Sequence, residues 1–309
     1  MSEVAEKVKV SQRSRGKLLA LSTLFEGNTP SFDGTKIAYR SFGKGSLPVV
    51  CANGLGVGTF FWDYFERHFR TSSQVVTWDY RGHGKSELKK NLQNYSLDAL
   101  VQDGKAVMDK LKLKKAVFVG HSLGVQVILE IYRRWPERVA GLVLCFGTYG
   151  HPMDHFYNTP LSRYIFKVCH LLGTTFPKPS NFVSKMLLDN PLSFYMGGLF
   201  KIMHTGMMKK EDSDKYVKHI LSVDPVFFIS LLKSAQEHTA ENILRSIDVP
   251  TLIVSGDMDQ FTPPWISKKM HRLIPESELF MIPHATHAGL VEQPDLVNFR
   301  IEKFIEERI

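Results

Sequence analysis

Short runs of apolar residues recur along the chain, and each is bounded by glycine, proline or polar residues. Such runs, four to eight residues long and rich in Val, Ile, Leu and aromatic side chains, are typical of buried β-strands. Seven are predicted: Lys36–Arg40, Pro48–Ala52, Val75–Asp79, Ala116–Gly120, Val139–Phe146, Thr251–Ser255 and Glu278–Ile282.

Between these runs the apolar residues recur at helical spacing. Ser96 is suited to cap a helix that extends to Leu111, and a second helix is predicted from Ser122 to Trp135, before Pro136. Two more begin with proline in the first turn, Pro264 to Ile274 and Pro294 to Ile309. Nearly continuous apolar strands that alternate with helices predict an α/β fold, a mostly parallel, doubly wound sheet covered on both faces.

The alternation stops at about residue 148 and resumes at about residue 241. The segment between has helical patterns and is rich in Phe, Tyr and Leu. It also holds six of the eleven methionines: Met153, Met186, Met196, Met203, Met207 and Met208. We expect 148–240 to be an inserted helical lid (cap) that lines a lipophilic pocket, within a core formed by 26–147 and 241–309. The alternative is a second packed layer, because Met and aromatic stripes usually form core.

The hydrophobic content, the cysteine number and the net charge limit the classes of function that the chain can have. A chain of 309 residues with 43% hydrophobic residues can bury a large core, and three cysteines in apolar runs (Cys51, Cys145 and Cys169) suggest reduced, buried thiols. The net charge of +8 is spread along the chain, and no basic run is interleaved with aromatic residues, so we expect no nucleic-acid partner.

The first 25 residues form a predicted N-terminal arm of unknown role. Residues 1–20 carry five basic and two acidic side chains, and the apolar run that follows reaches Glu26 without a small-residue cleavage site. We therefore expect no signal peptide and a cytoplasmic protein. The arm could be disordered, could pack on the lid, or could make a weak contact with an anionic membrane surface. Oligomeric state is not indicated.

The most specific motif is Gly120-His121-Ser122-Leu123-Gly124, which directly follows a predicted strand and precedes a predicted helix. A serine on so sharp a turn presents its hydroxyl outward, and the small flanking residues let the backbone bend. Ser122 is therefore the predicted nucleophile. Because a serine hydroxyl is a weak nucleophile at neutral pH, it needs a base, and the base needs an orienting acid.

Candidates for both partners follow later strands, in the chain order Ser, acid, His. Asp257 and Asp259 come directly after the strand Thr251–Ser255, at the edge of a parallel sheet where ligands bind. His284 and His287 come directly after Glu278–Ile282. The spacing alone does not decide which aspartate is the acid or which histidine is the base.

These residues resemble the α/β-hydrolase superfamily, in particular its lidded serine esterase and lipase-like members. The resemblance covers nearly all of the chain outside the lid and the first 25 residues. Gly256…Asp259…Pro263 is similar to the family's acid loop, and His287…Glu292-Gln293-Pro294 to its histidine loop. The resemblance therefore favours a triad of Ser122, Asp259 and His287. Two positions differ: Asn53 stands where the family usually has His, and Thr286 where it often has Gly.

The resemblance also implies an oxyanion hole formed by the backbone N–H groups of Leu55 and Leu123. The loop that follows Pro48–Ala52, Asn53-Gly54-Leu55-Gly56, occupies the expected place. Asp79-Tyr80-Arg81-Gly82-His83-Gly84 is similar to another family loop, and we expect structural roles for Arg81 and His83.

The predicted function is hydrolysis of carboxylic esters with an apolar acyl or alcohol group through an acyl-enzyme. The partner is a small lipophilic ester, and no metal or organic cofactor is required; His151, Asp154 and His155 have ligand spacing but lack a fourth ligand. Thioesterase, C–C bond hydrolase, cofactor-free haloperoxidase (perhydrolase) and acyltransferase activities use the same constellation. A non-catalytic small-molecule receptor on this fold is the alternative from another class.

Overall fold

The computed structural model describes residues 24–89, 94–159, 161–190 and 192–309. Most of the predicted N-terminal arm, residues 1–23, lies outside the described residues. The first strand begins at Phe25, the last residue assigned to that arm.

The sheet has eight strands in the order β1-β2-β4-β3-β5-β6-β7-β8. Their bounds are β1 Phe25–Pro30, β2 Lys36–Phe42, β3 Val49–Ala52, β4 Val75–Trp78, β5 Ala116–His121, β6 Val139–Cys145, β7 Thr251–Gly256 and β8 Glu278–Ile282. The pairs β1–β2 and β2–β4 are antiparallel and the other five are parallel. The predicted α/β fold with a mostly parallel sheet is confirmed. β1 was missed because it is an edge strand, exposed at most positions, without an apolar run.

The α-helices of the described residues are α1 Asp63–Phe69, α2 Leu97–Lys110, α3 Leu123–Arg134, α4 Leu161–Thr175, α5 Pro177–Leu188, α6 Ser193–Leu199, α7 Lys210–Ser222, α8 Pro225–Glu237, α9 Pro264–Leu273, α10 Gly289–Glu292 and α11 Pro294–Arg308. Ser96 caps α2 as predicted, since its Oγ accepts the Ala99 N–H at 3.2 Å. The short helix α1 was not predicted; seven residues after a glycine loop give little periodicity.

Alternate residues of the central strands face two separate apolar layers. Val50 and Ala52 pack with α2, α3, α8 and α9, whereas Val49 and Cys51 pack with α1 and α11. β5 is buried at all six positions. Burial on both faces explains why the central strands are continuous apolar runs, and it holds their carboxyl ends rigidly at one edge.

The helices α4 to α8 all lie in the chain between β6 and β7. These two strands nevertheless pair directly, from Leu142 with Thr251 to Cys145 with Val254. An isolated antiparallel bridge joins Gly150 to Thr239, so the segment leaves and rejoins the sheet at one place. The sheet is therefore built from both ends of the chain.

One prediction about this segment is wrong. Cys51 and Cys145 are buried, but Cys169 of α4 is exposed. The apolar run around Cys169 suggested core, whereas α4 turns most of its apolar residues towards solvent. No helix within the described ranges is both long and apolar enough to cross a membrane.

Candidate active site

Ser122 lies on the sharp turn between β5 and α3. Its backbone has φ 55° and ψ −116°, a conformation that non-glycine residues seldom adopt and that marks functional sites. The turn needs glycine at Gly124, since a Cβ there would collide with the Ala52 carbonyl oxygen. The Ser122 N–H donates to Cys145 O at 3.0 Å, which ties the turn to β6. The sequence forces the hydroxyl outward at the carboxyl edge of the sheet.

His287 and Asp259 come from the loops after β8 and β7, and both reach Ser122. His287 Nε2 lies 2.8 Å from Ser122 Oγ, and His287 Nδ1 lies 3.0 Å from Asp259 Oδ2. With the carboxylate on the Nδ1 side, that nitrogen carries the proton and Nε2 is left to accept the Ser122 hydroxyl proton. This is the arrangement that activates a serine.

Asp259 is fully buried and held by its own loop. Its Oδ1 accepts the N–H groups of Phe261 and Thr262 at 2.8 and 2.9 Å, and its Oδ2 accepts the Thr262 hydroxyl at 2.8 Å. Three donors within three residues fix the carboxylate orientation, so it can aim one oxygen at the His287 ring.

The competing residues of the sequence analysis lie elsewhere. Asp257 and His284 are both exposed, and Asp257 Oδ1 accepts the His284 backbone N–H at 2.7 Å. The two residues join the β7 and β8 loops on their outer side. The structure thus brings Asp259 and His287 to Ser122, and leaves Asp257 and His284 in a turn-to-turn contact.

The loop after β3 lies beside Ser122. A Cβ built on Gly54 would lie 3.2 Å from the Ser122 Cβ. Leu55, the next residue of the loop, therefore lies close to Ser122. In the described part of the chain, the N–H groups of Leu55 and Leu123 have no hydrogen-bond acceptor. One of these donors belongs to the residue after Ser122 and the other to the loop that packs against Ser122, a placement suited to hold an oxyanion.

Comparison with known proteins identifies the family of the chain. A family model described as the alpha/beta hydrolase fold matches residues 48–294. The chain belongs to the α/β-hydrolase family. It is 24% identical over 283 residues to the "Uncharacterized hydrolase YugF" of Bacillus subtilis, covering 89% of this chain and 96% of that one. It is 26% identical over 290 residues to the proline iminopeptidase PfmaB of Pestalotiopsis fici, covering 89% and 98%.

Among solved structures, the enol-lactonase of Burkholderia xenovorans superposes with a TM-score of 0.76 at 20% identity. The superposition covers 91% of this chain and all of the enol-lactonase chain. At this sequence identity, the likeness is one of fold.

Asn53, where other α/β-hydrolases usually have histidine, braces the loop after β3 in this one. It is fully buried, its Nδ2 donates to Trp78 O at 2.8 Å, and its Oδ1 accepts the Trp62 indole N–H at 2.6 Å. The departure from the family pattern therefore leaves no polar atom of this side chain unpaired.

Two imidazoles fix the Gly56 peptide of the same loop. His83 Nε2 accepts the Gly56 N–H at 3.1 Å, while its Nδ1–H donates to Arg81 O. Burial lowers the pKa of His83 to about 4, which keeps the ring neutral and able to accept. From the other side, His219 Nδ1 lies 3.0 Å from Gly56 O. His219 belongs to α7, and nothing in the sequence pattern singled it out.

His121, the residue before Ser122, supports His287 of this α/β-hydrolase. Its Nε2–H donates to the His287 carbonyl at 3.0 Å, and its ring packs on Phe61 with centroids 4.6 Å apart. Burial, together with the neighbouring His287, lowers the pKa of His121 to about 3. The sequence gives His121 no signal beyond its place in the motif, because its contact to His287 joins residues 166 apart.

Across the ranges that the structure describes, no three His, Cys, Asp or Glu side chains are grouped to hold a metal ion. His151 and Asp154 instead bond Gln236: His151 Nδ1 lies 2.8 Å from Gln236 O, and Asp154 Oδ1 accepts the Gln236 amide at 3.0 Å. These contacts fasten the start of the insertion to α8.

Proposed function

We propose that this α/β-hydrolase is a serine hydrolase that cleaves carboxylic esters bearing an apolar acyl or alcohol group. The observation that supports the proposal most strongly is the hydrogen-bonded series from Ser122 Oγ through His287 to the buried Asp259 carboxylate. A binding protein would have no use for a serine held in a strained backbone conformation against an oriented imidazole.

The geometry supports a two-step reaction. In the first step His287 Nε2 takes the Ser122 proton as Oγ attacks the ester carbonyl, and the oxyanion accepts hydrogen bonds from the Leu55 and Leu123 N–H groups. His287 then gives the proton to the leaving alcohol, and Ser122 carries the acyl group. In the second step water loses a proton to His287 and attacks the acyl-enzyme, which releases the acid and restores the Ser122 hydroxyl.

The surroundings of the triad favour an apolar substrate. Phe261 packs against the His287 ring with centroids 4.9 Å apart, and Phe156 packs on Phe261 at 4.7 Å. On the oxyanion side, Gly56 is flanked by Ile220 of α7 and Phe228 of α8. Apolar groups therefore adjoin both the base and the oxyanion loop, and burying a substrate chain against them would be favourable.

The insertion contacts both sides of the site, and we propose that it acts as the lid over the site. His219 of α7 binds the oxyanion loop at Gly56 O, and the segment after α6 binds the histidine loop. There the Thr286 hydroxyl lies 3.2 Å from Ile202 O, and the His204 N–H donates to Glu292 at 2.6 Å. Displacement of the insertion would disturb both loops, so substrate entry and loop geometry are coupled.

A panel of p-nitrophenyl esters from acetate to octanoate tests the proposal. We expect kcat/KM to rise roughly fourfold for each added methylene that is buried, over at least the first few carbons. The Ser122→Ala variant is the control and should lose this activity by several orders of magnitude, because the triad acts as a unit. A flat or falling profile would remove the apolar preference, and turnover retained by Ser122→Ala would remove the serine mechanism. Matched thioester and amide substrates separate the activities that share an acyl-enzyme.

A further inference from the structure

The helix α4 is amphipathic with its apolar side facing solvent. At 3.6 residues per turn, the buried Phe166 and the half-buried Gly173 lie on the side that packs towards α8. The opposite side carries six exposed residues, each 48–63% accessible: Leu161, Tyr164, Ile165, Val168, Leu171 and Leu172. Apolar residues at this spacing normally mark the buried side of a helix.

The neighbouring helix α5 repeats the arrangement. It packs against α4 and α8, and its exposed large apolar residues are Phe182, Val183, Met186 and Leu187. Phe182 is 71% accessible and Met186 and Leu187 each 62%. We call these ten residues of α4 and α5 the docking face. Monomeric proteins seldom expose so many large apolar side chains on adjacent helices unless the surface has a partner.

Charge indicates what the partner is. Residues 161–207 contain five Lys or Arg residues and a single acidic residue, Asp189. All five cations are exposed, and on α4 Arg163 and Lys167 flank the apolar side next to Tyr164. Helices with a Leu- and Phe-rich side bordered by Lys and Arg are suited to lie in the interface of an anionic bilayer.

Two other partners for the docking face, a second copy of the chain and residues 1–20, match its positive charge less well. A second copy of the chain would bring two sets of these five cations together. Residues 1–20 carry five basic and two acidic side chains, so they have the same sign of charge as the border of the docking face. An anionic lipid surface supplies both an apolar layer and the opposite charge.

We propose that the docking face binds the surface of anionic phospholipid membranes, with α4 and α5 lying in the interface. Beyond the docking face, exposed apolar residues continue along the chain through α6 to Phe200. Ile202, two residues later, contacts Thr286 beside His287. The segment that would contact the membrane therefore ends only two residues before Ile202, which contacts the histidine loop. The proposal does not depend on ester hydrolysis.

Vesicle flotation with the full chain tests this. The protein should float with phosphatidylcholine vesicles in which one lipid in three is phosphatidylglycerol, and bind about tenfold less to phosphatidylcholine alone. Ser122→Ala should float like the wild type, so failure of the proposed hydrolase activity would leave this result unchanged.

Substitutions on the docking face, each with a matched control elsewhere, test whether this surface binds the vesicles. Phe182→Ser combined with Leu187→Ser should lower partitioning into the anionic vesicles by about tenfold or more, because two large apolar groups no longer insert. Phe299→Ser on α11, where the side chain is 61% accessible, is the apolar control and should bind like the wild type. Lys167→Glu with Lys185→Glu should weaken binding to anionic vesicles, and Lys110→Glu should not.

Circular dichroism and the thermal midpoint verify that each variant folds, which the exposure of the substituted residues favours. The proposal is overturned if the wild type fails to float, or if the Phe182/Leu187 variant floats as well as the wild type. It is also overturned if the wild type forms a concentration-dependent dimer that the same two substitutions dissociate.

Discussion

Glu292 binds Thr286, the residue before His287, through two hydrogen bonds. One carboxylate oxygen accepts the Thr286 N–H at 2.9 Å, and the other accepts the Thr286 hydroxyl at 2.6 Å. Both side chains are buried. The second oxygen also accepts the His204 N–H, so one carboxylate joins the histidine loop to the insertion. The threonine that departs from the family pattern thus has a defined partner.

We expect Thr286→Val to lower kcat by roughly tenfold, because a buried hydrogen bond to a charged group is lost and the His287 loop is less firmly held. The fold should remain, with a loss of about 1–2 kcal/mol in unfolding free energy. Thr286→Ser keeps the hydroxyl and should restore most of kcat. If Thr286→Val keeps the wild-type kcat while its stability falls, Thr286 has a structural role alone.

Two matched substitutions test whether Asp259 or Asp257 is the acid of the proposed triad. Asp259→Asn removes the charge that orients and stabilises the His287 ring, and we expect a loss of three to four orders of magnitude in kcat, roughly that measured for an equivalent change in serine proteases. Asp257→Asn, on the exposed outer side of the loops, should stay within about threefold of the wild type. Steady-state kinetics on one short-chain ester suffice, and the reverse ranking would assign the acid to Asp257.

Acid should destabilise the folded state through its buried imidazoles. The pKa of His121 is lowered from 6.5 to about 3 by burial, so below about pH 6.5 the unfolded chain binds a proton that the folded chain excludes. The stabilisation is complete above the unfolded pKa and is lost as the pH falls towards the folded one. Each such histidine contributes a slope of about 1.4 kcal/mol per pH unit, and His83 acts in the same direction.

The matched variant is His121→Asn, which cannot titrate. Urea unfolding between about pH 7 and pH 4.5 should give a shallower fall in unfolding free energy for this variant than for the wild type, whatever its stability at neutral pH. Identical slopes would show that His121 is already free to take up a proton in the folded protein.

The sequence predicts the sheet well because its central strands are buried on both faces, which demands uninterrupted apolar runs such as Ala116–Gly120. The strand-to-helix turn at Ser122 could be predicted because its flanking glycines, Gly120 and Gly124, leave a local signature. His219 and Thr286 could not, because their partners Gly56 and Glu292 are fixed only by tertiary packing. The exposure of α4 escaped prediction for a related reason: helical periodicity identifies an apolar side but not what covers it.

The central claim is that Ser122 is a nucleophile activated by His287. It is tested most directly by a fluorophosphonate probe followed by peptide mass spectrometry. We predict one covalent adduct per chain, on the peptide that contains Ser122, with no adduct in Ser122→Ala and much slower labelling in His287→Ala. Absence of labelling in the folded wild type, or an adduct that persists in Ser122→Ala, would contradict the account.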